Sequence, residues 1–130
     1  MTVTDPRQMN EAFAHAFNSR SVGTLLAFYE PAAVLRIDSS DRDLIGLDAI
    51  AGELRQLLQM PGTMTSKNNF CVVQGDLALL RADWEIVDAT GTIIVSGSSA
   101  ELVRRQRDGR WLYVIDHAAG AGLPRVPSTS

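Results

Sequence analysis

The sequence predicts an α+β fold, with about three N-terminal helices packed on an antiparallel sheet long and twisted enough to curl around a pocket. Three observations carry this. Helical periodicity in the first half gives way to period-two alternation from Thr63 onward. Turn signals at Gln74-Gly75-Asp76, Asp88-Ala89-Thr90-Gly91 and Asp108-Gly109 divide the second half into four strands. With 130 residues, 45% hydrophobic and 21% charged, the chain is of a size and composition that build one core.

Asp5, Pro6 and Gln8 read as a helix start, because the Asp carboxylate accepts free amide hydrogens and Pro suits the first helical position. Met9, Phe13, Ala16 and Phe17 then recur at three- and four-residue spacing, which sets them on one inward face. Ser21 caps a short second helix with Val22, Leu25, Leu26 and Phe28, broken at Glu30-Pro31. A strand is expected over Ala33 to Asp38 and a turn over Ser39 to Asp43. A third helix follows from about Leu47, its inner side carrying Ile50, Leu54, Leu57 and Leu58, and Pro61-Gly62 ends it.

In the meander that follows, Ala78, Leu80, Ala82, Trp84 and Ile86 share one face of the second strand, while Arg81, Asp83 and Glu85 give the other a polar character. Gly97 predicts a bulge or bend in the long strand Thr92 to Arg107. We expect one domain over residues 1–130 with a loose tail at 119–130, which is small, Gly- and Pro-containing and ends Pro-Ser-Thr-Ser.

A formal net charge of −3 provides no positive field for a phosphate backbone, so no nucleic-acid partner is expected. Arg104, Arg105, Arg107 and Arg110 fall on both faces of a hairpin and read as a solvated sheet end. No apolar run suits a membrane span or a leader segment, and the expectation is a cytoplasmic protein without a membrane partner. Cys71, the one cysteine, allows no intrachain disulfide and sits in an apolar run as a small buried thiol. His15 and His117 are isolated, so neither a metal site nor a cofactor is expected.

Three strings carry a family resemblance: Ala16-Phe17-Asn18 before a short helix, Phe28-Tyr29-Glu30-Pro31-Ala32-Ala33-Val34 before a strand, and Gly46 before the third helix. With the ending Asp108-Gly109-Arg110-Trp111 through Asp116-His117, the chain resembles the nuclear-transport-factor-like superfamily and its bacterial ketosteroid-isomerase-like and SnoaL-like branch, over roughly residues 8 to 120. The resemblance implies a cone-shaped, cystatin-like domain whose helices and curved sheet enclose an apolar pocket, commonly as a homodimer formed through the sheet. In the ketosteroid isomerases a carboxylate base, a tyrosine and a protonated carboxylic acid line that pocket. Residue by residue, the base position falls on Ile37 with Asp38 next to it, the tyrosine position on Phe13, and the acid position on Glu101.

The hairpin at Asp108-Gly109 adds a derivation from register. If it is a two-residue type I′ turn, Arg107 pairs with Arg110, Val103 faces Val114, Glu101 faces Asp116 and Ala100 faces His117. Opposed carboxyls about 5 Å apart disfavour double ionisation, so one holds its proton to higher pH if the site is dry. Glu101 and Asp116 are therefore the candidate acid and base, with Asp38 an alternate base. A wet strand end, or a three-residue turn that shifts the register, is the structural alternative.

The candidate ligand contacts are Phe13, Phe17, Tyr29, Ile37 and Trp84, with Ser99, Val103, Leu112 and Val114 beside the carboxyls; the large aromatics among them pack equally well as core. Regular alternation sends His117, with Trp111, Tyr113 and Ile115, to the opposite face from Asp116. Two functions stay open. One is a cofactor-free enzyme that moves a proton on a small apolar molecule; the other is a non-catalytic dimeric module that binds a hydrophobic ligand or another protein. A purely structural partner surface would need an exposed apolar patch on the outer sheet face.

Overall fold

The computed structural model describes residues 2–37 and 42–122. The Asp5 carboxylate accepts from the Arg7 amide at 3.0 Å, and one 3-10 turn at Pro6–Gln8 leads into α1 (Met9–Asn18). Ser21 accepts from the Thr24 amide at the start of α2 (Val22–Leu26). Strand β1 (Tyr29–Ile37) begins earlier than the expected Ala33, so Tyr29 stands on the sheet. Pro31 is tolerated because pairing of β1 with its parallel neighbour is interrupted between Tyr29 and Val34. The turn expected at Ser39 to Asp43 is in part a strand, β2 (Arg42–Ile45); Asp38 to Asp41 lie outside the described residues.

Helix α3 (Leu47–Leu57) buries Ile50, Ala51 and Leu54. Strands β3 (Thr63–Gln74), β4 (Leu77–Val87), β5 (Ile93–Arg105) and β6 (Trp111–His117) form the meander. The six-stranded sheet has the order β2-β1-β6-β5-β4-β3, and all pairs are antiparallel except β1 with β6. Helix α1 packs on β3 and α3 on β1, so the helices cover one sheet face. Between them lies a core with Met9, Phe17, Leu25, Ile50, Leu80 and Val103 all fully buried.

The inner face of β4 is as the alternation predicts, with Ala78, Leu80, Ala82 and Ile86 buried. Gly97 is not at a bulge; it pairs directly with Trp84. A Cβ at Gly97 would come within 2.9 Å of the indole ring, so the missing side chain makes room for Trp84 to lie across β5. From there Trp84 Nε1 donates to the Ala118 carbonyl at 2.7 Å. The tail expected to be loose from 119 is held at its start, where the Ala121 and Gly122 amides donate to the Ser98 carbonyl. Residues 123–130 lie outside the described part.

The outer face differs from its expected polar character. Val72, Leu79, Leu102, Ile115, Val34 and Ile45 are successive cross-strand neighbours from β3 to β2, an aliphatic row across all six strands. Ile45 is 67% exposed and Val72 and Leu79 each 51%. Arg81, Asp83 and Glu85 flank this row toward one end of β4 and do not interrupt it.

Substituting Gly97→Ala should displace Trp84 and cost about 1–3 kcal/mol, as overpacking does. Urea unfolding of the variant would measure that loss, and tryptophan fluorescence would report the displaced ring.

Candidate functional site

A cavity of about 320 Å³ lies between the helices and the sheet. Phe13 and Asn10 of α1 enter it from one side and Glu53, Leu54 and Leu57 of α3 from another. The sheet contributes Tyr29, Trp84, Ser99, Glu101, Tyr113 and Asp116 among others.

Glu101 and Asp116 are direct partners on β5 and β6, as the register argument requires, although two steps of that argument fail. The turn is not a two-residue one. Gln106 donates its amide to the Arg110 carbonyl around a three-residue loop, which moves the register by one, so Arg105 faces Trp111 and Val103 faces Tyr113 rather than Val114. A bulge at Val114 then inserts one residue into β6 and moves the register back before Glu101 is reached. Because a bulge breaks alternation, Tyr113 and Asp116 both face inward, and Tyr113 is not on the opposite face as regular alternation has it.

Of the expected ligand contacts, Phe13, Tyr29, Ile37, Trp84 and Ser99 line the cavity. The other four do not. Phe17 is fully buried in the core with the Arg20 guanidinium 4.6 Å over its ring. Val103 is buried opposite Tyr113, Leu112 pairs with Arg104 on the far side of the sheet, and Val114 is the bulged residue. Asp38 lies outside the described residues.

Polar side chains in the wall form one network. The Tyr29 hydroxyl donates to Asp116 Oδ2 at 2.6 Å. On the other carboxyl, Asn10 Nδ2 donates to Glu101 Oε2 at 2.6 Å and to Ser99 Oγ at 3.2 Å. Asn10 Oδ1 accepts from the Tyr113 hydroxyl at 2.8 Å. Glu101 is 3% exposed, and its Oε1 has no hydrogen-bond partner among the described residues. Phe13 packs edge-on against both tyrosine rings, with centroids 6.4 Å from Tyr29 and 5.9 Å from Tyr113. Asn10 and Tyr113 are missed by sequence reasoning. An asparagine breaking the apolar stripe of α1 was the available signal for one; no local signal marks the bulge that turns the other inward.

Burial is the main cause of a Glu101 pKa raised to about 8; the Asp116 charge adds to it, and hydrogen bonding by Ser99 and Asn10 partly offsets it. Burial also raises Asp116, to about 6, against the lowering effects of the Tyr29 hydroxyl and His117. Near pH 7 the pair thus carries about one proton and one negative charge, with Glu101 the more basic of the two. Tyr29 and Tyr113 are raised well above 10 by burial, so both stay neutral donors. Burial raises Cys71 too, which leaves it a thiol. Among the described residues no group of three or more His, Cys, Asp and Glu side chains could hold a metal ion.

Helices packed on one face of a curved six-stranded sheet make the nuclear-transport-factor-like, cystatin-like fold. The SnoaL-like domain family matches residues 10–114, and the chain belongs to it. Among solved structures, a protein from Thiobacillus denitrificans provisionally named as a calcium/calmodulin-dependent protein kinase type II association domain gives a TM-score of 0.75 at 21% identity, over 92% of this chain and 97% of that one. An NTF-2-like protein of unknown function from Shewanella oneidensis gives 0.70 at 16% identity, over 86% and 93%. A domain of unknown function with a cystatin-like fold from Nostoc punctiforme gives 0.71 at 17%, over 87% and 73%. These likenesses are of fold alone. No curated protein matches the sequence.

Both raised carboxyl pKa values make stability fall as pH rises. Below the ordinary values of 3.8 and 4.5 the folded and unfolded chains are equally protonated. Between there and about 6 and 8 the folded chain binds more protons, and above about 8 it bears the whole cost of burying two charges. Thermal unfolding should therefore show Tm decreasing from pH 5 to pH 8, and Glu101→Gln should flatten that slope and melt several degrees above the wild type at pH 8.

Proposed function

We propose that this chain is a small-molecule enzyme that moves a proton within a neutral, mostly apolar carbonyl compound, using Asp116 as base and Glu101 as acid. The observation that carries the proposal is the pairing of Glu101 with Asp116 in the wall of an otherwise mostly apolar cavity, where burial raises both carboxyls and Glu101 the more. Asp116 Oδ2 is held by Tyr29, which leaves Oδ1 to take a proton from a carbon next to the carbonyl. As that C–H bond breaks, its electron pair moves toward the carbonyl oxygen, where Glu101 Oε1–H stabilises the developing charge by a hydrogen bond. Asp116 then returns its proton to the same carbon or to a conjugated one, and both carboxyls regain their starting states. No cofactor enters these steps.

A binding-only role is the second reading, favoured by Phe13, which puts an apolar edge where the resembling enzymes have a hydroxyl donor. Within either reading we propose a homodimer, supported by the exposed aliphatic row on the sheet's outer face. The expected location is the cytoplasm; among the described residues no helix is long and apolar enough to cross a membrane.

Incubation in D₂O with a panel of cyclic enones and β,γ-unsaturated ketones tests the enzyme reading, with NMR reading exchange of the acidic C–H. Exchange should follow a bell-shaped pH profile with limbs near 6 and 8 and fall about 10²–10⁴-fold in Asp116→Asn. Binding of these ketones with no exchange above buffer rates would leave the binding-only role standing. For the assembly, light scattering should show a dimer at micromolar concentration and a monomer for Leu79→Asp. A wild-type monomer there would remove the dimer.

A further inference from the structure

We infer that Asn10 is the positioning residue of the site: its side-chain amide fixes which oxygen of Glu101 carries the proton and withdraws the Tyr113 hydroxyl from the ligand. This deepens the proton-transfer reading and rests on it for its consequence, although the hydrogen-bond assignment stands by itself.

The orientation of the Asn10 amide follows from its neighbours. The Ser99 hydroxyl has one proton, and its other two neighbours, the Ala82 carbonyl at 3.4 Å and the Glu101 carboxyl whose pKa it lowers, both take that proton as acceptors, so toward Asn10 the hydroxyl accepts. The Asn10 edge facing Ser99 and Glu101 must therefore be the NH₂ group, which supplies both at 3.2 and 2.6 Å. Its carbonyl edge then faces Tyr113 and accepts the phenolic proton. Glu101 Oε2, receiving an N–H, is the acceptor oxygen, and the proton of the neutral acid resides on Oε1. The backbone of Asn10 is itself pinned, since its N–H donates to Asn68 Oδ1 at 3.0 Å.

What the cavity offers a ligand is thereby narrowed. Tyr29 donates to Asp116 and Tyr113 to Asn10, so both phenolic protons are used inside the wall. From the network, the buried Glu101 Oε1–H is the donor left without an acceptor among the described residues, and Asp116 is the remaining acceptor. The matching ligand presents one acceptor oxygen next to one acidic hydrogen and carries no negative charge of its own, which Asp116 would repel. Among the described residues the ionisable groups facing Glu101 are Asp116 and Tyr113 of β6 and Tyr29 of β1. Arg36 and Glu53 also line the cavity from β1 and α3.

The test is a titration of Glu101 by NMR of the carboxyl-¹³C-labelled, ligand-free protein, assigned by comparison with Glu101→Gln. In Asn10→Leu the Glu101 midpoint should rise by about one pH unit, because a hydrogen bond to the charged form is lost. Should that variant fail to fold, Asn10→Asp keeps the shape of the side chain and should raise the midpoint further through its charge. An unchanged midpoint would make Asn10 a packing residue. A fall in Asn10→Leu would mean that the amide is reversed and accepts the Glu101 proton; either result overturns the inference. The enzyme reading fails separately: a shifted midpoint with no exchange on any ketone would retain the Asn10 assignment and discard the catalysis. Where exchange occurs, the high-pH limb of its profile should move with the NMR midpoint.

Discussion

Two carboxyls paired across strands in one cavity wall resist double ionisation, and most of the cavity's polar architecture can be understood as the accommodation of that constraint. Water would solvate each carboxylate; here burial withholds it, and the cross-strand partner adds repulsion. The surrounding hydrogen bonds are divided between the pair. Asp116 takes the Tyr29 hydroxyl and has the lower pKa, while Glu101 takes an amide N–H and keeps its proton. Environment widens the ordinary gap between 4.5 for Glu101 and 3.8 for Asp116 to one between about 8 and about 6.

Placing both groups on one face takes a departure from regular strand geometry. The three-residue loop after Gln106 brings Tyr113 opposite Val103, and regular alternation from there would send Asp116 to the other face. The bulge at Val114 supplies the missing residue, so a phenol and a carboxyl three positions apart enter the same cavity. Such irregularities cost ladder hydrogen bonds and re-aim side chains, and here the side chains re-aimed are polar ones that enter the cavity. The aromatic cluster of Phe13, Tyr29 and Tyr113 closes around it and keeps the local dielectric low.

The two faces of the sheet do different work. Helices α1 and α3 cover the inner face without filling it, and the space left between them is the cavity. On the outer face the six-residue aliphatic row has Val72, Leu79, Ile115 and Ile45 exposed and Leu102 and Val34 half-buried, a feature that alternating patterns in single strands could not reveal. Arg81, Asp83 and Glu85 read as a polar face when β4 is taken alone, whereas Leu79 joins Val72 and Leu102 only once register across strands is known.

The sequence by itself determined the class of fold, the three helices, the β3 to β6 meander and the inner stripe of β4, since periodicity, caps and turn residues are local signals encoded within a few positions. It also named Glu101 and Asp116 as partners, though through a register in which the true loop length and the bulge offset one another. Tertiary structure alone decided that Tyr113 and Asn10 line the cavity, that Phe17, Val103, Leu112 and Val114 do not, and that β1 runs parallel beside β6. The physical reason is that bulges, strand order and hydrogen-bond networks are settled by contacts between residues far apart in the chain, and no window of neighbouring residues contains them.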